Sequence, residues 1–395
     1  QPVFVRITPK NIREGIFSSE KHLAETGKIL PGGTWICYEK GMSKKVLVIH
    51  QGALGDVILS FQALIGLRRQ EDIELGLSCA GQIGRLAQEL SVVDHYYPME
   101  SQSFSRLFQS KWAHETIRFI DSHDAVILVG CSPALIAGFD RHYRGKTYWV
   151  SSRPDPKNDC HVATYVMGGF QKQGLIKENG GPVEHAGPVL LDAVSKGRVQ
   201  TGFGDSRTIV IHPGAGSERK RWHVENFFDV ARECAAGQMG RVIFLLGPAE
   251  QTLAGFFDKE MGPSARLTPA DLDNFLGTAG SRAGPWVYFQ TGDLGRVVRL
   301  LTQSRCFVGN DSGVTHLAAY LGLPTVALFG PSSPARWKPV GKNVTVIRGL
   351  DDCSPCFETA RSNCQAPRCL SEISIQRVVD ATASALAQPA FSVVY

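Results

Sequence analysis

One stretch constrains the fold more than any other: from Arg305 to Phe329 the chain reads strand, glycine turn, helix, strand. Arg305-Cys306-Phe307-Val308 and Thr325-Val326-Ala327-Leu328-Phe329 are apolar runs of strand length. Between them, Val314 to Tyr320 has helical character and is stopped by Gly322 and Pro324. This is a βαβ unit, and a chain of such units commits itself to a parallel sheet covered on both faces. The turn Gly309-Asn310-Asp311-Ser312-Gly313 leads into a helix N-terminus, whose free amides suit an anion. With His316 one turn further on, the acid, hydroxyl and glycine there point to a phosphorylated ligand. A plain helix cap by Asp311 or Ser312 is the simpler alternative.

The alternation recurs twice along the chain. The first set opens with a strand at Val46 to Ile49, a turn at Gln51 to Asp56 and an amphipathic helix at Val57 to Arg69. Strands are expected at Glu74 to Ser78, Ala125 to Val129 and Lys146 to Val150. A stretch rich in glycine, proline and charge, Lys177 to Gly187, breaks the pattern, and a hinge is expected between Leu190 and Arg207. The second set has strands at Thr208 to His212 and Arg241 to Leu246, a helix at Val224 to Ala235 and the βαβ unit above. It ends in an amphipathic helix at Ile373 to Leu386.

A chain of 395 residues is long for one domain and comfortable for two. The expected organisation is an extension over residues 1–43, a Rossmann-like domain over 44–200, a second Rossmann-like domain over 201–372, and a helix and tail over 373–395. The extension carries a short helical pattern at Ser19 to Leu30, and Met42, ahead of the first strand, reads as a natural start. Two doubly wound α/β halves facing across a cleft would place ligands beyond the carboxyl ends of the strands.

Four turns lie at such ends. Gly52 and Gly55 permit close approach of backbone to ligand, and Asp56 is either an N-cap or a carboxylate at the cleft able to act as a general base. His212-Pro213-Gly214-Ala215-Gly216-Ser217-Glu218-Arg219-Lys220-Arg221-Trp222 runs from small residues into a basic cluster. Ser217 and backbone amides could cradle a phosphate there while Lys220 or Arg221 neutralises it; a solvated basic loop is the alternative. The P-loop spacing is absent, and Trp222 reads as core. Glu250, after Gly247-Pro248, could accept from ribose hydroxyls. The fourth turn offers Asp311, Ser312, Gly313, Val314, Thr315 and His316.

The net charge of +5 suits an acidic ligand, but no basic run with interleaved aromatics suggests nucleic acid. No apolar run reaches membrane-span length, no secretory signal is visible, and six scattered cysteines read as buried reduced thiols, so a cytoplasmic protein is expected. Cys353, Cys356, Cys364 and Cys369 are spaced C-x2-C-x7-C-x4-C. Zinc, two disulfides and packed thiols all remain open there, and no metal or cofactor is expected in the cleft.

In order, GALGDV (Gly52 to Val57), HPGAGSERKRW (His212 to Trp222), GNDSGVTHLAAYLGLPTVALFGP (Gly309 to Pro331) and the CSPC segment resemble glycosyltransferase family 9, whose best-known members are the lipopolysaccharide heptosyltransferases. The resemblance runs from Lys44 to the last helix. It implies a GT-B fold and an inverting transfer from ADP-L-glycero-β-D-manno-heptose to the lipopolysaccharide inner core. It puts the base on Asp56, phosphate contacts on Ser217 and Lys220, the D-[TS]-G-x-x-H motif on Asp311, Ser312, Gly313 and His316, and a further acid on Glu250. The implied partners are the ADP-sugar and an anionic glycolipid, with peripheral contact at the cytoplasmic face of the inner membrane. Arg141, Arg144 and Lys146 are candidates for the glycolipid's phosphates. The chain departs from the family pattern at His50, where many members carry Arg, and at Ser312, where Thr is commoner. A sugar-nucleotide epimerase of the same fold and a non-catalytic nucleotide-sugar binder are the rival readings.

Overall fold

The computed structural model describes residues 3–6, 28–29, 35–38, 43–177 (without 71, 102, 103, 105, 110 and 156), 207–277, 286–349, 355–357, 364 and 368–388. Three short strands, β1 (Val3–Arg6), β2 (Lys28–Ile29) and β3 (Trp35–Tyr38), pair antiparallel in the order β1-β3-β2. Lys28 and Ile29 are thus extended where the sequence suggested a helix; the rest of Ser19 to Ile29, with Leu30, lies outside the described residues, as do Glu178 to Gly187 and Leu190 to Ser206.

The first parallel sheet comprises β4 (Lys44–His50), β5 (Ile73–Cys79), β6 (His95–Pro98), β7 (Ala125–Val129) and β8 (Lys146–Val150) in the order β6-β5-β4-β7-β8. The second comprises β9 (Thr208–His212), β10 (Arg241–Leu246), β11 (Arg266–Leu267), β12 (Trp286–Gln290), β13 (Cys306–Asn310), β14 (Thr325–Phe329) and β15 (Val344–Arg348). Its order is β11-β12-β10-β9-β13-β14-β15. In each sheet the chain winds outward one way and then the other. The direction reverses between β4 and β7 in the first sheet and between β9 and β13 in the second. These reversals open crevices at the carboxyl ends, where ligands of doubly wound sheets bind.

Central strands carry side chains on two covered faces, which explains their unbroken apolar runs: all five residues of β9, β13 and β14 are buried. The helix Leu54–Arg68 departs from the expected amphipathic pattern. Nine of its residues, from Val57 to Leu67, are buried around most of its circumference. One side covers the first sheet and another packs against the helix Gly313–Tyr320 of the second lobe, where the Phe61 and Tyr320 rings meet edge to face at 5.0 Å. A helix wedged between two layers needs no polar stripe.

The two helix starts meet at glycine. A Cβ on Gly313 would lie 2.8 Å from Leu54 Cβ and 3.1 Å from the Gly55 nitrogen. Gly313→Ala must therefore push the two helix starts apart. We expect a folded protein by circular dichroism whose turnover falls about tenfold or more, since small misplacements of reacting groups are costly. Wild-type turnover would show that the close approach is not needed.

The last helix, Ile375–Ala387, buries Val378, Val379, Thr382 and Ala385 against the second lobe. Among the described residues no helix is long and apolar enough to cross a membrane.

Candidate active site

The turns after β4, β9 and β13, with the loop after β8, converge on one cavity of about 590 Å³. From the first lobe Ala53, Gly55, Asp56, Arg153 and Pro154 line it. From the second come Gly216, Ser217, Lys220, Asp311, Ser312, Gly313 and His316, joined by Arg336, Trp337 and Phe357.

Asp56 sits in the first turn of its helix, and its Oδ2 accepts from the Ala53 amide at 3.1 Å. It therefore caps the helix and also faces the cavity; the two readings of this residue are compatible. Arg153 Nη2 lies 3.6 Å from its Oδ1. His50 shapes the turn from behind. The Gly52 amide donates to His50 Nδ1 at 2.9 Å, so the ring proton is on Nε2, 3.0 Å from Ser60 Oγ. Ser60 Oγ in turn donates to the Asp56 carbonyl. A Cβ on Gly52 would come within 2.6 Å of both Asp56 Cβ and the His50 ring. The departure from the family pattern at this position thus supplies a buried, neutral turn organiser.

Burial pushes His50 down to about 4, against the opposing pull of Asp56. A histidine whose folded value lies below its ordinary 6.5 contributes stability that is complete above pH 6.5 and is lost as pH falls towards 4. The loss is on the order of 3 kcal/mol. His212, also buried and lowered, acts in the same direction. Denaturant titrations from pH 7 to 4 should show this fall, and His50→Asn should flatten part of it; an unchanged slope would remove His50 as its source.

Across the cavity, Lys220 Nζ lies 2.7 Å from Asp311 Oδ2 and 4.4 Å from the centre of the Phe357 ring. Ser332 Oγ donates to the same Asp311 oxygen, and His316 Nε2 stands 3.8 Å from the other, beyond hydrogen-bond reach. Burial would raise the Asp311 carboxyl, but His316 and Lys220 outweigh it and hold it at about 2. Lys220 is therefore oriented by a carboxylate that stays charged.

Ser312 caps the helix Gly313–Tyr320 by accepting from the Thr315 amide at 3.3 Å. Of the amides expected to face an anion, that of Thr315 is thus already engaged, and Thr315 itself is buried. Gly313 reaches the cavity wall, while Val314 packs against the core. The two second-lobe turns are tied together by Asn310. Its Nδ2 donates to the Pro213 carbonyl at 2.8 Å, and its Oδ1 accepts from the Trp222 amide at 3.0 Å. Trp222 is buried and packs edge to face on Phe227.

Glu250 lies behind the wall. Its carboxylate oxygens are turned inward: Oε2 accepts from the Gly247 amide at 2.9 Å, and Oε1 is 3.9 Å from Arg221 Nη2. A Cβ on Gly214 would collide with the Glu250 carboxyl. Arg221 itself donates to the Ala215 carbonyl at 3.0 Å. Glu250 and Arg221 thus hold the phosphate-loop backbone in shape.

Arg141, Arg144 and Lys146 are exposed at the amino end of β8. Because the cavity lies past the carboxyl ends, they are at the far side of the sheet, whereas Arg153, after the same strand, lines the cavity. Ser151-Ser152-Arg153-Pro154 directly follows a strand, the one sequence signal that could have singled it out. Among the described residues no group of three or more His, Cys, Asp or Glu is placed to hold a metal ion. Cys353 lies outside them; Cys356 and Cys369 are buried, Cys364 is exposed, and Arg219 Nη2 approaches Cys356 Sγ at 3.5 Å.

Two parallel α/β lobes, wound in this way and joined by a cavity between their switch points, define a GT-B fold. Solved structures agree. A glycosyltransferase family 9 protein from Veillonella parvula superposes with a TM-score of 0.64 at 19% identity, covering 88% of this chain and 98% of that one. The Escherichia coli ADP-heptose heptosyltransferase II does so with a TM-score of 0.58 at 18% identity, covering 87% and 98%. Residues 291–366 match the model of glycosyltransferase family 9 (heptosyltransferase). Lipooligosaccharide heptosyltransferase 2 of Haemophilus influenzae is 27% identical over 200 residues, 48% of this chain and 52% of that protein. Over residues 291–366 the chain is similar to glycosyltransferase family 9. Its alignment spans at most about half the length of the curated relatives it matches, 52% in the Haemophilus influenzae case.

Proposed function

We propose that this protein is an inverting glycosyltransferase that moves a heptose from ADP-L-glycero-D-manno-heptose to the inner core of lipopolysaccharide. The lobe over 44–200 takes the acceptor and the lobe over 201–372 the nucleotide sugar. One observation carries the reading: a carboxylate, Asp56, and an oriented cation, Lys220, from different lobes line the same cavity, with a helix N-terminus between them.

In the reaction, Asp56 takes the proton of the acceptor hydroxyl as its oxygen bonds to the anomeric carbon. The bond from that carbon to the β-phosphate oxygen breaks, and its electron pair leaves with ADP. Lys220, Ser217, the Gly313 amide and the dipole of the helix Gly313–Tyr320 stabilise the departing diphosphate. Attack from the side opposite the leaving group inverts the centre. These groups supply the positive charge, so transfer continues in EDTA. A glycolipid acceptor places the enzyme at the cytoplasmic face of the inner membrane while it works.

The names of relatives support the donor. One Escherichia coli heptosyltransferase of this fold was solved with ADP and with ADP-2-deoxy-2-fluoro heptose. The test is a transfer assay with ADP-heptose and heptose-deficient lipopolysaccharide, alongside thermal shifts with ADP, UDP, GDP and CMP. Product formation with stabilisation by ADP above the others is expected. Preference for UDP without transfer would favour the epimerase.

A further inference from the structure

Arg336 is buried, with 3% of its surface exposed, yet it belongs to neither the base nor the phosphate cluster. It sits on the short helix Pro334–Trp337 of the second lobe, and its guanidinium reaches into the first. Nη1 donates to the Asp155 carbonyl and Nη2 to the Pro154 carbonyl, both at 2.9 Å. A second link runs alongside: His161 Nε2 lies 2.8 Å from the Lys338 carbonyl, while His161 Nδ1 accepts from the Ala163 amide, which fixes the ring proton on Nε2. Just before the first link, Arg153 stands 3.6 Å from Asp56 and has its guanidinium 5.8 Å from the centre of the Trp337 ring. The Arg153 side chain is itself mostly exposed, 66%, and among the described residues its backbone is tied only locally, to Ser151 Oγ.

We propose that Arg336 is a positioning residue: it clasps the backbone of residues 154–155 to the nucleotide lobe and thereby sets Arg153 beside Asp56, facing Lys220. The choice of arginine follows from geometry. A planar fork spans two successive carbonyls, whereas an ammonium on a flexible stem satisfies them one at a time. Burying a cation is expensive unless hydrogen bonds compensate it, so such a residue is retained where its fork is used. The consequence deepens the proposed transfer and rests on it. Arg336 lines the cavity as Ser217, Lys220 and Asp311 do, but both its bonds go to backbone of the first lobe, so the clasp governs alignment of the acceptor side with the donor side.

The test uses the full chain with Arg336→Ala and Arg336→Lys. Turnover is expected to fall about ten- to a hundred-fold in both, the scale of a small misplacement of reacting groups, with ADP affinity by calorimetry near wild type. Guanidinium ion should restore part of the turnover of Arg336→Ala but not of Arg336→Lys. Independently of any substrate, hydrogen exchange should accelerate at the Lys157, Asn158 and Cys160 amides, which close the turn hanging from Asp155. Unchanged exchange there overturns the clasp. Faster exchange with unchanged turnover overturns its catalytic consequence, as does an equal loss of ADP affinity. A wild-type protein inactive on ADP-heptose would sink the proposed function, and exchange alone would then decide the clasp.

Discussion

Asp56→Asn should nearly abolish sugar transfer while ADP still binds. The substitution is nearly isosteric, and the Asn side-chain oxygen can still accept from the Ala53 amide, so the turn keeps its shape. What disappears is the proton acceptor and the partner of Arg153. A positioned general base contributes about a hundred- to ten-thousand-fold, and the rate should fall by that amount. Lys220, Ser217 and Ser312 lie on the opposite lobe and keep their contacts, so calorimetry should return a near-wild-type ADP affinity. Full activity in this variant would take the base role away from Asp56. Loss of both activity and ADP binding would show that the carboxylate shapes the donor site instead.

Lys220→Ala should have the second-largest effect, on donor and stability together. The ammonium is 2.7 Å from Asp311 and lies over the Phe357 ring, nearer than Arg219 does, on the wall with Ser217 and Ser312. Removing a charge that stabilises a leaving group costs about a hundred- to a thousand-fold in rate, and ADP affinity should weaken in parallel. It also leaves Asp311, 5% exposed, without its ammonium. The stability loss should stay below the roughly 3–5 kcal/mol of a fully buried broken pair, because Lys220 reaches into the cavity and keeps some solvent. The pH dependence has a definite sign. Asp311 is held at about 2, below its ordinary 3.8, so its contribution is complete above pH 3.8 and is lost as pH falls through 2. Without Lys220 that loss should begin at higher pH. Unchanged ADP affinity and an unchanged acid limb would together contradict the role.

Much of this was legible in the chain, for a physical reason. The strands Ala125–Val129, Thr208–His212, Arg241–Leu246 and Thr325–Phe329 have the bounds their apolar runs suggest, because parallel strands buried on both faces write themselves as such runs. Lys146–Val150 also has its expected bounds, although it lies at a sheet edge with only Val150 buried. The converging turns were legible because glycine and polar residues follow those strands directly. His95–Pro98 and Arg266–Leu267 were not: four and two residues at a sheet edge carry no period. The helix Leu54–Arg68 misled for the opposite reason, since a second lobe covers the side expected to be polar.

Within the site, Asp56, Ser217, Lys220, Asp311, Ser312, Gly313 and His316 share the cavity, as their motifs implied. Arg153, Arg336, Trp337 and Phe357 arrive on loops whose position is set only once the lobes pack. Nothing local in Pro334-Ala335-Arg336-Trp337 says that Arg336 will bond to carbonyls some 180 residues earlier; the separations are 181 and 182. Glu250 shows the converse: an acid in the expected place after a strand, turned to hold backbone instead of facing the cavity.

The central claim is that one cavity holds a sugar diphosphate between Asp56 and Lys220. A crystal structure with ADP-2-deoxy-2-fluoro heptose bound tests it most directly. The account predicts the β-phosphate against Lys220, Ser217 and the Gly313 amide, with the anomeric carbon presented towards Asp56. A diphosphate seated elsewhere, or a sugar turned away from Asp56 with no room for a hydroxyl between them, would contradict it.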